Sequence, residues 1–144
     1  MTEITGRYDW CTPASLFRQL DEEFRFVLDA AATKETAKCK QFFTPEEDGL
    51  NQSWAVGGAV FCNPPYDKTM GKWVAKAAEE AGKGTTVVML LPAKTDTKWF
   101  HDFVWQKSEI RFLKGRIKFE LPSGETAFGA SFPSMIVVFE RRDK

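Results

Sequence analysis

The chain has 144 residues, 43% of them hydrophobic and 14% aromatic, with 20 basic and 20 acidic side chains. That is enough apolar chain for one domain with its own core, and it excludes disorder and low complexity. The apolar run Val87 to Leu91 falls far short of the roughly 20 residues of a membrane-spanning helix. Met1 to Arg7 is polar and does not read as a signal peptide. The formal net charge is zero, which gives no bias toward nucleic acid. Cys11, Cys39 and Cys62 are scattered and form no C-x-x-C pair, so they read as free thiols of a reducing cytoplasm. No metal site is expected. The single histidine, His101, reads as structural.

In chain order, Thr12-Pro13 predicts a helix start, with Thr12 as the cap and Pro13 at the first helical position. Leu16, Phe17, Leu20 and Phe24 follow at helical spacing. Phe24 to Leu28 predicts a strand ending at Asp29, and the Ala/Lys-rich stretch Ala30 to Cys39 a short helix. Thr44 to Ser53 is a polar loop. Ala59 to Cys62 is a compact strand that must stop at Asn63-Pro64-Pro65-Tyr66, because two prolines cannot continue a ladder.

Met70, Trp73, Val74, Ala77, Ala78 and Ala81 mark the clearest amphipathic helix, ended by Gly82 and Gly84. Thr85 to Leu91 suits a parallel strand covered on both faces, with Pro92 ending it. Trp99, Phe100, Phe103 and Val104 mark a further helix, capped near Thr95 or Asp96. Strands Ile110 to Leu113, Ile117 to Leu121 and Met135 to Phe139 complete the chain, with a turn at Pro122 to Glu125. The expectation is one α/β domain over residues 1–144, with a mainly parallel sheet and antiparallel C-terminal strands.

The chemistry concentrates at Asn63-Pro64-Pro65-Tyr66, between a buried strand and a helix. In an open α/β sheet that is the carboxyl edge, where ligands bind. The Asn63 side chain and the Pro64 carbonyl are acceptors, Pro65 stiffens the loop, and Tyr66 offers an aromatic face. Two acceptors aimed at one planar amine would hold both N–H bonds and free the nitrogen lone pair for attack.

More of the chain joins this motif in order: Trp10-Cys11-Thr12-Pro13, Leu28-Asp29-Ala30-Ala31, Asp48-Gly49-Leu50 with Trp54, Leu90-Leu91-Pro92-Ala93 and Gly115-Arg116-Ile117-Lys118-Phe119. From Trp10 to Phe139 the chain resembles the phage-type DNA N6-adenine methyltransferases, which use S-adenosylmethionine. The resemblance implies a trimmed Rossmann-like class I methyltransferase fold. Asn63 and the Pro64 carbonyl would bind the target amino group, and Tyr66 would stack on an adenine flipped from the duplex. Trp10, Thr12, Pro13, Asp29, Ala30, Ala31 and Asp48 would lie along the methyl donor. Only 18 residues separate Asp29 from Asp48, so the sheet should lack strands there. No glycine occurs between Gly6 and Gly49, a departure from glycine-rich donor loops. The setting implied is the cytoplasm of a bacterial host, with a phage or prophage gene.

Double-stranded DNA is the implied partner, with no membrane. Phosphate contacts are expected from Arg111, Lys114, Arg116 and Lys118, a stretch with four basic residues and no acidic one. With no separate recognition domain, sequence choice falls to the loops Ala93 to Lys98 and Leu121 to Phe132, or to a second subunit in a homodimer. The zero charge is an average: Met1 to Asp48 holds 10 acidic against 6 basic side chains, and Gly49 to Lys144 holds 10 against 14. On the residues alone, a planar amine of an RNA base or of a protein glutamine, or a non-catalytic DNA-binding relic, stays open. Cytosine C5 chemistry is disfavoured, because its cysteine nucleophile has no Pro-Cys counterpart here.

Overall fold

The computed structural model describes residues 11–142. The expectations for Trp10 and for Met1 to Arg7 lie outside the described residues. Helix α1 (Ala14–Phe24) leads through the left-handed Arg25 into strand β1 (Phe26–Asp29). After a long irregular stretch come β2 (Ala59–Cys62), α2 (Met70–Gly82) and β3 (Val87–Pro92). A π-helical turn at Phe100–Val104 precedes β4 (Glu109–Phe112), β5 (Lys118–Glu120), β6 (Thr126–Gly129) and β7 (Ser134–Phe139).

The main sheet has the order β1-β2-β3-β7-β4, and β5 and β6 form a separate ribbon. β1, β2 and β3 are mutually parallel; β7 is antiparallel to both β3 and β4. Four strands therefore point one way and β7 runs against them, so the α/β expectation with antiparallel C-terminal pairing holds. Every residue of β3 and β7 is buried, as two covered faces require. One face packs under α2 through Trp73, Val74 and Ala77; the other packs under α1 through Leu20 against Phe61, Val88 and Ile136. Among the described residues no helix is long and apolar enough to cross a membrane.

Several local expectations are corrected. Thr12 is not a cap: Pro13 occupies the N-cap position without a side-chain cap bond, and Glu120 of β5 accepts the Ala14 N–H instead at 3.2 Å. Thr12 is buried, because Cys11 pairs through both backbone groups with Glu120. Ala30 to Cys39 is not a helix. The amides of Asp29, Ala30 and Ala32 are taken by the carbonyls of Gln41, Phe61 and Phe43, which holds this backbone extended. Thr33 and Thr36 then close a single turn through their hydroxyls. The cap before Phe100 is Thr97, whose Oγ1 accepts the Phe100 N–H, rather than Thr95 or Asp96. α2 runs through Gly82, and the stop falls at Gly84 with φ +109°. Pro92 is the last residue of β3, paired with Ser134. Strand β6 was not expected.

Candidate active site

The carboxyl ends of β1, β2 and β3 form one edge, which carries Asp29 and the Asn63–Tyr66 segment. Asp29 sits in register with Phe61, and the Ala30 N–H donates to the Phe61 carbonyl at 2.9 Å. Asp29-Ala30 therefore lies beside Cys62-Asn63. Pro64 and Pro65 are buried, Asn63 and Tyr66 half-buried, and the Asn63 Oδ1 atom is itself enclosed.

Tyr66 is held on three sides. Its hydroxyl donates to the Leu90 carbonyl at 3.3 Å. Its ring lies 5.8 Å from Phe119, edge-on, and 5.6 Å from Phe132. Desolvation of the inward hydroxyl holds its pKa well above the usual phenol value, so Tyr66 is neutral. Burial, with the nearby Asp29 charge, likewise pushes the Cys62 thiol up, which makes it a poor nucleophile.

Asp29 is 3% exposed. Its Oδ2 accepts the Lys38 N–H at 3.0 Å, while Oδ1 has no hydrogen-bond partner among the described residues. Burial raises its pKa from 3.8 to about 7, against the lowering effect of the Lys38 and Ala31 amides. A carboxyl in this state calls for a hydrogen-bond donor or a cation.

The Asp48 loop is folded back onto this point. Asp48 is exposed and left-handed at φ 58°, and its carboxylate accepts the Asn51 side-chain N–H. Gly49 is buried against Ala30: a Cβ there would stand 2.4 Å from the Ala30 carbonyl oxygen and 3.2 Å from the Trp73 ring. Only glycine fits without movement.

Thr12 and Pro13 reach the same region by another route. Cys11 bridges Glu120, and the neighbouring Phe119 touches Tyr66. Beside Tyr66 a cleft of about 430 Å³ opens, lined among others by Met70, Pro92, Lys94, Trp99 and Phe132. Lys94, Trp99 and Phe132 were not singled out in the sequence as site residues. Lys94 and Phe132 come from the two loops expected to choose the target, Trp99 follows the first of them, and only the fold brings them together. His101 stands apart, bonded through Nε2 to the Thr95 carbonyl at 2.8 Å.

The basic set divides. Lys114, Arg116 and Lys118 are exposed, while Phe119 is fully buried, as the alternation predicts. Leu113 donates to Ser134, the partner of Pro92, so this stretch leaves the sheet at the edge that carries Asn63. Arg111 is different. Its guanidinium makes two bonds of 2.7 Å to Glu23 and one of 2.6 Å to Glu109, and lies 5.5 Å from the Phe24 ring centre. These carboxylates hold its pKa above even the usual arginine value. It faces the C-terminal end of α1, away from the Asn63 edge.

The family model for DNA N-6-adenine-methyltransferase (Dam) matches residues 2–144. The chain belongs to that family. A DNA N-6-adenine-methyltransferase of Haemophilus phage HP1 is 33% identical over 135 residues, covering 91% of this chain and 78% of that protein. One from Escherichia phage T1 is 30% identical over 119 residues, covering 82% of this chain and 50% of that protein. The chain is therefore a transferase that methylates adenine at N6 in DNA, and its family implies a methyl donor.

Proposed function

We propose that the chain uses S-adenosylmethionine to methylate an adenine extruded from double-stranded DNA, with Asn63 to Tyr66 as the catalytic segment. The observation that carries this reading is the cleft between Tyr66 and Trp99. It is lined by Tyr66 and by Pro92 at the carboxyl end of β3, and its volume lies in the range of small-ligand sites. The site fits the donor on two counts. Asp29 Oδ1 is a buried acceptor that lacks a hydrogen-bond partner among the described residues, suited to an ammonium group. Gly49 lets the Asp48 loop close tightly on Ala30. Thr12, Pro13, Ala31 and Asp48 complete the proposed donor side.

When bound, S-adenosylmethionine supplies an electrophilic methyl group on a sulfonium whose thioether departs. Asn63 Oδ1 and the Pro64 carbonyl each accept one N–H of the adenine amino group. That turns the nitrogen lone pair out of conjugation and offsets the positive charge that develops on it. Tyr66 stacks on the base, and Phe119 and Phe132 keep its ring from turning away. Lys114, Arg116 and Lys118 contact phosphates, and Arg111 leaves that set because its charge is already spent on Glu23 and Glu109. We read the sheet as a trimmed Rossmann-like class I methyltransferase fold. In support, β7 opposes four like-directed strands, and beyond β1 the described chain makes only the Asp29–Phe42 bridge. A homodimer is the means by which it would lengthen its contact with DNA. The place of action is the cytoplasm of a phage-bearing cell.

The test is Asn63→Ala, assayed by digesting treated duplex DNA to nucleosides. N6-methyladenine should vanish while the variant stays folded and still binds DNA. Full activity would end the proposed role of Asn63.

A further inference from the structure

We propose that Trp54, clasped from behind by Glu80 and Lys76, is a positioning residue for the methyl donor and acts through the backbone of Asp48-Gly49. The inference rests on the reading above that Asp29 and Asp48 flank that donor.

Trp54 lies in a loop yet is fully buried. Both of its N–H groups are committed. The indole Nε1–H donates to the Gly49 carbonyl at 2.9 Å, and the backbone N–H donates to Glu80 Oε1 at 3.3 Å. Glu80 is 2% exposed, and its Oε2 pairs with Lys76 at 2.9 Å. The Lys76 ammonium in turn lies 5.8 Å from the centre of the Trp54 ring. Trp73 stacks on Trp54 at 6.3 Å and also walls Gly49. The Gly49 backbone is thus gripped by the indole on one side and stopped by the Ala30 carbonyl on the other. Asp48, next in the chain, has its position fixed as a result.

Packing alone does not account for this arrangement. A buried ion pair contributes little net stability, since taking both charges out of water offsets their attraction. A phenylalanine ring would fill most of the same space. What the polar groups add is direction: they fix the distance between the Asp48 loop and the end of β1, the two sides of the proposed donor site. None of the three side chains lines the Tyr66–Trp99 cleft, so the effect should fall on the donor and not on the base.

The experiment is steady-state kinetics on Trp54→Phe, with equilibrium dialysis of S-adenosylmethionine per folded molecule. Loss of one neutral hydrogen bond predicts a rise of about five-fold in donor KM and Kd. kcat at saturating donor and KM for DNA should stay at wild-type values. Glu80→Gln, which keeps an acceptor for the Trp54 amide but loses the Lys76 charge pair, should raise donor KM by less; Lys76→Arg should retain wild-type behaviour. A Trp54→Phe enzyme with wild-type donor KM, or with donor and DNA KM raised together, overturns the proposal. Asp48→Ala separates the two levels. If it leaves donor affinity unchanged, the donor-side reading itself falls. If it weakens the donor while Trp54→Phe does not, only the positioning role falls.

Discussion

Replacing Asp29 by asparagine removes a buried carboxyl whose pKa lies at about 7 instead of 3.8. Between those values the native protein keeps a proton that the unfolded chain has released, so stability must fall as pH rises through this window. From pH 5 to pH 7 the fall is about 2.3 kcal/mol, since the slope of about 1.36 kcal/mol per unit halves as the native carboxyl reaches its own pKa. The introduced amide oxygen can still accept the Lys38 N–H, but the buried N–H groups beside it cost about 1–3 kcal/mol at every pH. The variant should therefore be the less stable protein at pH 5 and close the gap, or overtake, at pH 8. Urea unfolding at pH 5, 6, 7 and 8 reads this directly. The same substitution should abolish measurable donor binding, because in the proposed site the carboxylate is the group that meets the ammonium. Wild-type donor binding should release close to one proton at pH 6, measured by titration calorimetry in buffers of different ionisation enthalpy. Parallel stability curves for the two proteins across this range would refute the reasoning.

Three further outcomes are expected. Tyr66→Phe should keep most activity and lose about 1 kcal/mol of stability with the bond to the Leu90 carbonyl, while Tyr66→Ala should lose most turnover. Equal kinetic losses would count against stacking. Arg116→Ala should weaken DNA binding and lower the salt slope by about one, whereas Arg111→Ala should leave the slope unchanged and lower the melting temperature; filter binding across salt concentrations distinguishes them. Gly49→Ala should raise donor KM and destabilise the fold, since its methyl would stand 2.4 Å from the Ala30 oxygen; wild-type kinetics would show that the loop can yield.

What could be read in the sequence was local. Pro64-Pro65 terminates β2 by its own chemistry, and α2 announces itself through apolar residues at helical spacing. The stretch after Asp29 misled because Ala-rich composition favours a helix, while its amides are claimed by Phe61 and Phe43, tertiary partners with no local signal. Arg111 obeyed the period of its strand, yet its partner Glu23 stands 88 positions earlier. Thr12 looked like a cap because its neighbours fit one, but the capping carboxylate comes from Glu120. The Tyr66–Trp99 cleft draws on three separate segments, so its residues were visible singly and their meeting was not. Strand β6 pairs only with β5 among the described residues and carries no strong apolar run, which left it unmarked.

The place of β7 bears on how the molecule is made. This late strand lies inside the sheet, between β3 and β4, and β4 has no other strand partner among the described residues. Until Ser134 to Phe139 has left the ribosome, β3 has an open edge and β4 has nothing to join. Without β7 the parallel β1–β2–β3 sheet that carries the Asn63 edge keeps one side open and β4 stays undocked, so the core closes only when β7 arrives. Nonsense mutations shortly before Ser134 should therefore behave as full losses, however much of the catalytic segment they retain.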